Sequence, residues 1–188
     1  MNWYYIIIAA AALQGFLLAV TIKNVSNNKK SLSWLSGLLI AISVCLVGRI
    51  FYEESLFGQY PKIAISSDLM LFTYGPLIFW YLKSVFFEEN KERIKVLQHF
   101  IPSFFHLVFI SQFLLVSNEK IFEMLAIKSY QIAGNLTEIL GWIHISVYLT
   151  VTFHLFKNYP EKAKTMVSNL PTIHFFRYFF ILNAIALV

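Results

Sequence analysis

The sequence is short of charge and of cysteine. Its 188 residues include 15 Lys+Arg and 10 Asp+Glu, so charged residues make up 13% of the chain, whereas soluble domains carry about 25%. The single cysteine, Cys45, leaves no second cysteine for an internal disulfide. These shortages argue against a soluble enzyme domain, a disordered tail, a coiled coil and a secreted disulfide scaffold.

Apolar residues are in excess. Hydrophobic residues make up 58% of the chain and aromatic residues 18%, and the mean hydropathy is +0.64. At this composition a water-soluble protein of this size would lack the polar residues needed to cover its surface. We therefore expect a membrane protein.

Six apolar stretches are long enough, or nearly so, to cross a bilayer as helices, which takes about 20 residues. None alternates with period two as barrel strands do. The sequence therefore predicts an all-α fold, a polytopic transmembrane helical bundle of about six spans, in which residues 1–188 form a single transmembrane helical module with no soluble domain. The predicted spans are residues 3–22, 32–52, 66–87, 97–116, 136–156 and 172–188.

The distribution of basic residues predicts the orientation. Eleven of the 15 Lys and Arg lie in or beside the first, third and fifth connections, and four lie on the opposite side. Because cytoplasmic loops are enriched in Lys and Arg, we expect the amino terminus outside. The last stretch, Thr172–Val188, has only 17 residues and lacks a polar stop, so we expect it to be cut short and the parent protein to continue.

Polar residues in the predicted spans suggest structural roles first. Asp68 follows Ser66 and Ser67 in the first turn of the third span, and Glu138 follows Asn135 by three residues, so both carboxylates are predicted to cap helix starts. The histidines prompt a chemical alternative. His99 and His154 lie at similar predicted depth and could meet across helices as haem or metal ligands, whereas interhelical hydrogen bonding is the simpler interpretation.

Three further features concern the shape of the bundle. Gly75 with Pro76 inside the third span, and Pro102 near the start of the fourth, each remove a backbone hydrogen bond and invite a kink. His99 and His106 are seven residues apart, which predicts one shared helical face. The connection 117–135 is predicted to contain a short amphipathic helix, either flat on the membrane or covering the bundle.

No catalytic motif is present. Glu53 and Glu54 stand at a span end, as do the paired glutamates of prenyl-protein-processing membrane proteases, but Gly58 occupies the place of that motif's arginine. The chain also lacks a Gly-x-Ser-x-Gly elbow, a His-Glu-x-x-His pair and a phosphate-binding glycine loop. The sequence therefore predicts no enzyme, no cofactor, and no catalytic or metal-binding residues.

Two motifs resemble a known family. Residues 72–84 read FTYGPLIFWYLKS and residues 99–107 read HFIPSFFHL. They are similar to two helices in the N-terminal membrane module of bacterial membrane-anchored AraC-type helix-turn-helix transcription regulators. The resemblance implies a role in signal coupling or packing for Gly75, Pro76, Lys83, His99, Pro102 and His106.

The resemblance implies a one-component sensor in the bacterial inner (cytoplasmic) membrane, multi-pass with its amino terminus outside. Its DNA-binding domain is absent from this chain, so the expected partners are the lipid bilayer, a C-terminal helix-turn-helix domain or protein outside this chain, and a second copy in a homodimer, without direct nucleic-acid contact. Two alternatives remain open. One is a small transporter or haem-binding redox membrane subunit. The other is a structural membrane scaffold that associates through the small residues of the second span, Ser36, Gly37, Ser43 and Gly48.

Overall fold

The computed structural model describes residues 3–25, 30–86 and 93–157, and within these ranges it is all-helical, without strands. A 3-10 turn, Asp68–Met70, lies between α4 and α5. The α-helices are α1 Trp3–Val25, α2 Lys30–Phe51, α3 Glu54–Gln59, α4 Pro61–Ser67, α5 Tyr74–Phe86, α6 Arg93–Gln98, α7 Ile101–Leu114, α8 Asn118–Ala126 and α9 Lys128–Lys157.

Four helical stretches of the described chain are long and apolar enough to cross a membrane. They coincide with the first, second, third and fifth predicted spans, so the helical fold class is confirmed. The sixth predicted span, 172–188, lies outside the described residues. The four stretches are Trp3–Asn24, Lys30–Phe51, Pro61–Val85 and Lys128–Leu155.

The fourth predicted span, 97–116, is not one helix. α7 has 14 residues, which is about 21 Å at 1.5 Å per residue and short of a hydrocarbon layer of about 30 Å. It reaches membrane length only together with α8, from which it is bent by 116°. Pro102 lies in the first turn of α7, where its missing N–H breaks no helical bond. The predicted kink at Pro102 is therefore wrong, because this proline starts the helix.

Both capping predictions are also wrong. α9 begins at Lys128, so Asn135 and Glu138 lie well inside it, where backbone N–H groups are already bonded. Asp68 lies within the stretch Pro61–Val85 at the start of the 3-10 turn, and its side chain caps no helix. Both predictions failed for the same reason, which is that each helical stretch begins several residues before the start that hydropathy indicates.

The third stretch is interrupted directly before Gly75 and Pro76. α4 passes into the 3-10 turn, residues 71–73 form a further turn, and α5 starts at Tyr74. Pro76 therefore sits in the first turn of α5 and is almost fully buried. The proline marks a break between two helices, which replaces the kink expected inside one continuous helix.

α2 is the centre of the bundle. It packs against α1, α4 and α5, while α5 packs on α9 and α4 packs on α7. Leu38, Leu77 and Leu82 belong to a core cluster between α2 and α5. A second core cluster joins α4, α7 and α8, and Ile121 of α8 is fully buried in it. α8 therefore covers the bundle with its apolar side. Of the two arrangements considered for this amphipathic helix, flat on the membrane or covering the bundle, the structure has the second.

Small residues let α2 approach its neighbours closely. Ser36 donates a hydrogen bond from Oγ to the carbonyl of Ala19 at 2.9 Å. A side chain at Gly48 would overlap Ser67 of α4. Gly37 likewise faces Leu77 of α5. The small residues that suggested a scaffold surface are therefore used for packing within the chain.

We expect Gly48→Ala to destabilise the fold by about 1–3 kcal/mol, because the added Cβ meets Ser67 in a tightly packed contact. Gly134→Ala is the matched control, since Gly134 is also inside a long helix and a Cβ there has nothing within 4 Å. The apparent free energy of unfolding is measured by titrating SDS into mixed micelles. Equal stability of the two variants would contradict the close approach of α2 and α4.

Candidate functional site

A cavity of about 460 Å³ lies among α2, the 3-10 turn, α7, α8 and α9. Most of its wall is apolar, and seven of the side chains that line it are aromatic, including Phe109, Phe113 and Trp142. Ligand sites typically enclose about 300–1,000 Å³ and combine apolar walls with a few polar groups. The cavity therefore has the size and character of a small-molecule site.

The break in the third helical stretch puts Asp68 on the cavity wall. Its carboxylate accepts a hydrogen bond from the Tyr52 hydroxyl. Arg49 and Glu138 also line the cavity, and both are exposed at the surface. In the described part of the chain, no basic side chain forms an ion pair with Asp68. Asp68 is therefore a carboxylate in a largely apolar wall with a neutral hydroxyl as its partner.

The remaining polar side chains of the wall are mostly engaged already. The hydroxyl of Tyr74 donates to the carbonyl of Ala41 at 3.2 Å. His106 approaches the carbonyl of Asp68 at 2.9 Å through Nε2, and because a carbonyl only accepts, Nε2 carries the proton. The hydroxyl of Thr137 donates within its own helix, to the carbonyl of Ala133. These donors are bound to the protein itself and are not free for a ligand.

His106 connects the cavity to a row of rings, which we name the aromatic–histidine row. Its ring packs against Phe72 with 5.0 Å between ring centroids, and Phe72 packs against His144 at 5.4 Å. His144 contacts Tyr148 at 4.8 Å. Tyr148 in turn hydrogen bonds through its hydroxyl to Nδ1 of His99 at 2.6 Å. The row thus runs from the cavity to the turn between α6 and α7.

Gly75 is required at one point of this row. A Cβ at Gly75 would lie 2.6 Å from Cδ2 of Tyr148, closer than side chains pack. The glycine lets α5 and α9 approach until the Tyr148 ring lies on the α5 backbone. Two residues of separate motifs, Gly75 and His99, therefore contact the same tyrosine.

Lys83 lies beyond the far end of the row. Its Nζ sits over the Trp80 ring at 4.6 Å from the centroid and over Phe79 at 5.8 Å. Both of these rings also contact His99, at 5.2 Å for Phe79 and 5.4 Å for Trp80. Of the six residues that the motifs single out, Gly75, Lys83, His99 and His106 therefore touch the row or its ends, whereas Pro76 and Pro102 start helices.

The alternative pairing of His99 with His154 as haem or metal ligands is not found among the described residues. His154 is exposed and bonds the carbonyl of Thr150 within its own helix. The shared face predicted for His99 and His106 is also wrong, because His99 lies in the turn before α7. In the described ranges, no group of three or more His, Cys, Asp or Glu side chains converges as metal ligands would.

Neither motif contains Tyr52, the partner of Asp68, or Tyr148 and His144 of the row. His106 and His144 lie on different helices, α7 and α9. In the structure both histidines pack on Phe72, since the break before α5 places this ring between helices. Spacing along single helices carries no information on such contacts.

The described position of His99 predicts how stability varies with pH. His99 lies outside the long apolar helices, and partial burial, with a smaller contribution from the Lys83 charge, lowers its pKa below the usual 6.5. In the acidic range His99 therefore binds fewer protons in the folded state than in the unfolded state. The contribution of neutral His99 to the free energy of unfolding is complete above about pH 6.5 and is lost as the pH falls through the folded pKa.

His99→Asn does not titrate and keeps an acceptor for the Tyr148 hydroxyl. We expect this variant to lose less stability than the wild type between about pH 7 and pH 5. SDS titrations at a series of pH values measure the difference. If the stability of the two proteins depends on pH in the same way, the lowered pKa of His99 is refuted.

No protein family, curated protein or solved structure matches this chain.

Proposed function

We propose that this chain is the membrane-embedded sensory and anchoring module of a one-component AraC-type transcription regulator whose DNA-binding domain is absent from it. The observation that carries the proposal is the cavity, which is connected through the aromatic–histidine row to residues of both motifs. A sensor needs a binding site for the signal molecule and packed side chains that connect this site to the rest of the protein. Asp68 and His106 lie where the cavity meets the aromatic–histidine row.

The mechanism is a population shift between two arrangements of the bundle. A signal molecule changes the equilibrium only as far as it binds one arrangement better than the other. The interruption at residues 71–73 separates two helices that a continuous helix would hold in fixed register. Occupation of the cavity moves α7 relative to this interruption, and the Phe72 ring passes the displacement on to His144 and Tyr148.

The module spans the bacterial inner membrane with its amino terminus outside. In this orientation the cavity lies in the outer half of the bundle, because Arg49 and Asp68 are near the outer ends of their helices. Lys83 and His99 lie towards the cytoplasmic side, which is the side on which a DNA-binding domain has to lie. The exposed apolar side chains of α1, among them Ile7 and Leu17, contact lipid.

The orientation predicts which positions a membrane-impermeant maleimide labels from outside. With Cys45→Ser as background, we expect Lys128→Cys at the start of α9 to be labelled in intact cells and Lys23→Cys at the end of α1 to be labelled only after lysis. Both positions are exposed, so access to the reagent depends on the side of the membrane. The reverse pattern would show that the predicted orientation is wrong.

Filling the cavity tests the sensory role. Gly134 lines the cavity, and a Cβ added there has nothing within 4 Å, so we expect the side chain of Gly134→Phe to fill part of the cavity. Gly58→Phe is the control, since a Cβ there is equally free and Gly58 does not line the cavity. The intact gene is deleted from the strain, and the strain is then complemented with the intact gene carrying each substitution. Transcript levels are compared among these strains.

We expect a set of transcripts that depends on the gene, and a fixed level of these transcripts in the Gly134→Phe strain whatever the growth condition. The Gly58→Phe strain should respond as the wild type does. If deletion of the gene changes no transcript, the regulator proposal fails. Altered uptake of a solute in that same strain would instead favour the transporter.

A further inference from the structure

We propose that the cavity binds an amphiphilic molecule whose polar end is a cation, such as an ammonium group, with Asp68 as its counter-ion. This inference rests on the proposed sensory function, because it names the chemical class of the molecule sensed.

The charge balance of the described wall favours a cation. Two carboxylates, Asp68 and Glu138, are accompanied by one guanidinium, that of Arg49. Arg49 and Glu138 are exposed, whereas Asp68 is partly buried. Attraction between charges grows as water is excluded, so the least exposed charge of the wall contributes most to selecting a ligand.

The hydrogen bonds of the wall favour a donor. Tyr52 donates to the Asp68 carboxylate, Tyr74 to a backbone carbonyl, and His106 to the Asp68 carbonyl. The Asp68 carboxylate has two oxygens and retains acceptor capacity beyond the Tyr52 bond. A ligand that brings N–H donors or a positive charge therefore finds an acceptor, whereas an anionic ligand finds the exposed Arg49 alone among the cations of the described wall.

The apolar part of the wall fits the remainder of an amphiphile. Phe109, Phe113 and Ile65 line the cavity on the side of α4 and α7, and Trp142 lies on α9. Aromatic rings bind alkyl chains by burial and also attract cations through their faces. The volume of about 460 Å³ accommodates a short alkyl or aryl group.

The test uses the intact protein in phosphatidylcholine nanodiscs, with empty nanodiscs subtracted. The probes are octyltrimethylammonium, its uncharged carbon isostere 2,2-dimethyldecane, and octyl sulfate. Saturable binding is measured by equilibrium dialysis. We expect octyltrimethylammonium to bind more tightly than the other two.

We expect Asp68→Asn to weaken binding of octyltrimethylammonium by about tenfold or more, because a charge-assisted contact is lost. The asparagine side chain still accepts the Tyr52 hydrogen bond, so the fold is retained. Glu119→Gln is the matched control, since Glu119 is a carboxylate outside the cavity wall. This control should bind as the wild type does.

The other outcomes overturn the inference in distinguishable ways. Tighter binding of octyl sulfate, abolished by Arg49→Gln, would assign an anionic ligand and leave the sensory site intact. Equal binding of all three probes, unchanged in Asp68→Asn but lost in Gly134→Phe, would assign an apolar ligand. Absence of saturable binding by any probe would reject the cationic amphiphile. The sensory function is tested separately, and it is rejected by a normal transcript response of the Gly134→Phe strain or by a deletion that changes no transcript.

Discussion

The structure depends on the close approach of α2 to its neighbours. Helices in a bilayer gain little from burying apolar side chains, because lipid is equally apolar, so van der Waals contact and interhelical hydrogen bonds hold them together. Gly48 against Ser67 and Ser36 on the Ala19 carbonyl supply both. α2 also packs on α4 and α5, while α5 packs on α9 and α4 packs on α7, so the helices around the cavity are connected to α2 directly or through one neighbour.

The interruption between α4 and α5 converts this packing into a site. In a continuous helix the carbonyl of Asp68 would accept the N–H of Phe72, four residues on. Instead it accepts the N–H of Leu71 at 2.9 Å and the imidazole of His106 at 2.9 Å. The break therefore ties α7 to the third helical stretch, and it also directs the Asp68 side chain to Tyr52 on the cavity wall.

Hydropathy predicted the helical class and the approximate place of four long helices, because a run of apolar residues of membrane length has few other solutions. It failed at the beginning of Lys128–Lys157, which starts eight residues before the predicted span. It also failed at residues 97–116, where α7 ends and the chain bends into α8. The motifs pointed to Gly75 and His99 but not to Tyr148, which contacts both of them from α9. They also gave no sign of the hydrogen bond between Tyr52 and Asp68, because contacts of that kind follow from tertiary packing.

The histidines give an energetic reason for a second arrangement of the bundle. In the described structure Nδ1 of His106 and both ring nitrogens of His144 are buried without a hydrogen-bond partner. Each unpaired buried polar group costs about 1–3 kcal/mol, so this arrangement does not satisfy its own polar groups. A shift of α7 against α9 that brought these nitrogens to a partner would recover part of that cost. A ligand that binds better once these nitrogens have partners would gain from that recovered free energy, and the unpaired nitrogens lie in the row that leads away from the cavity.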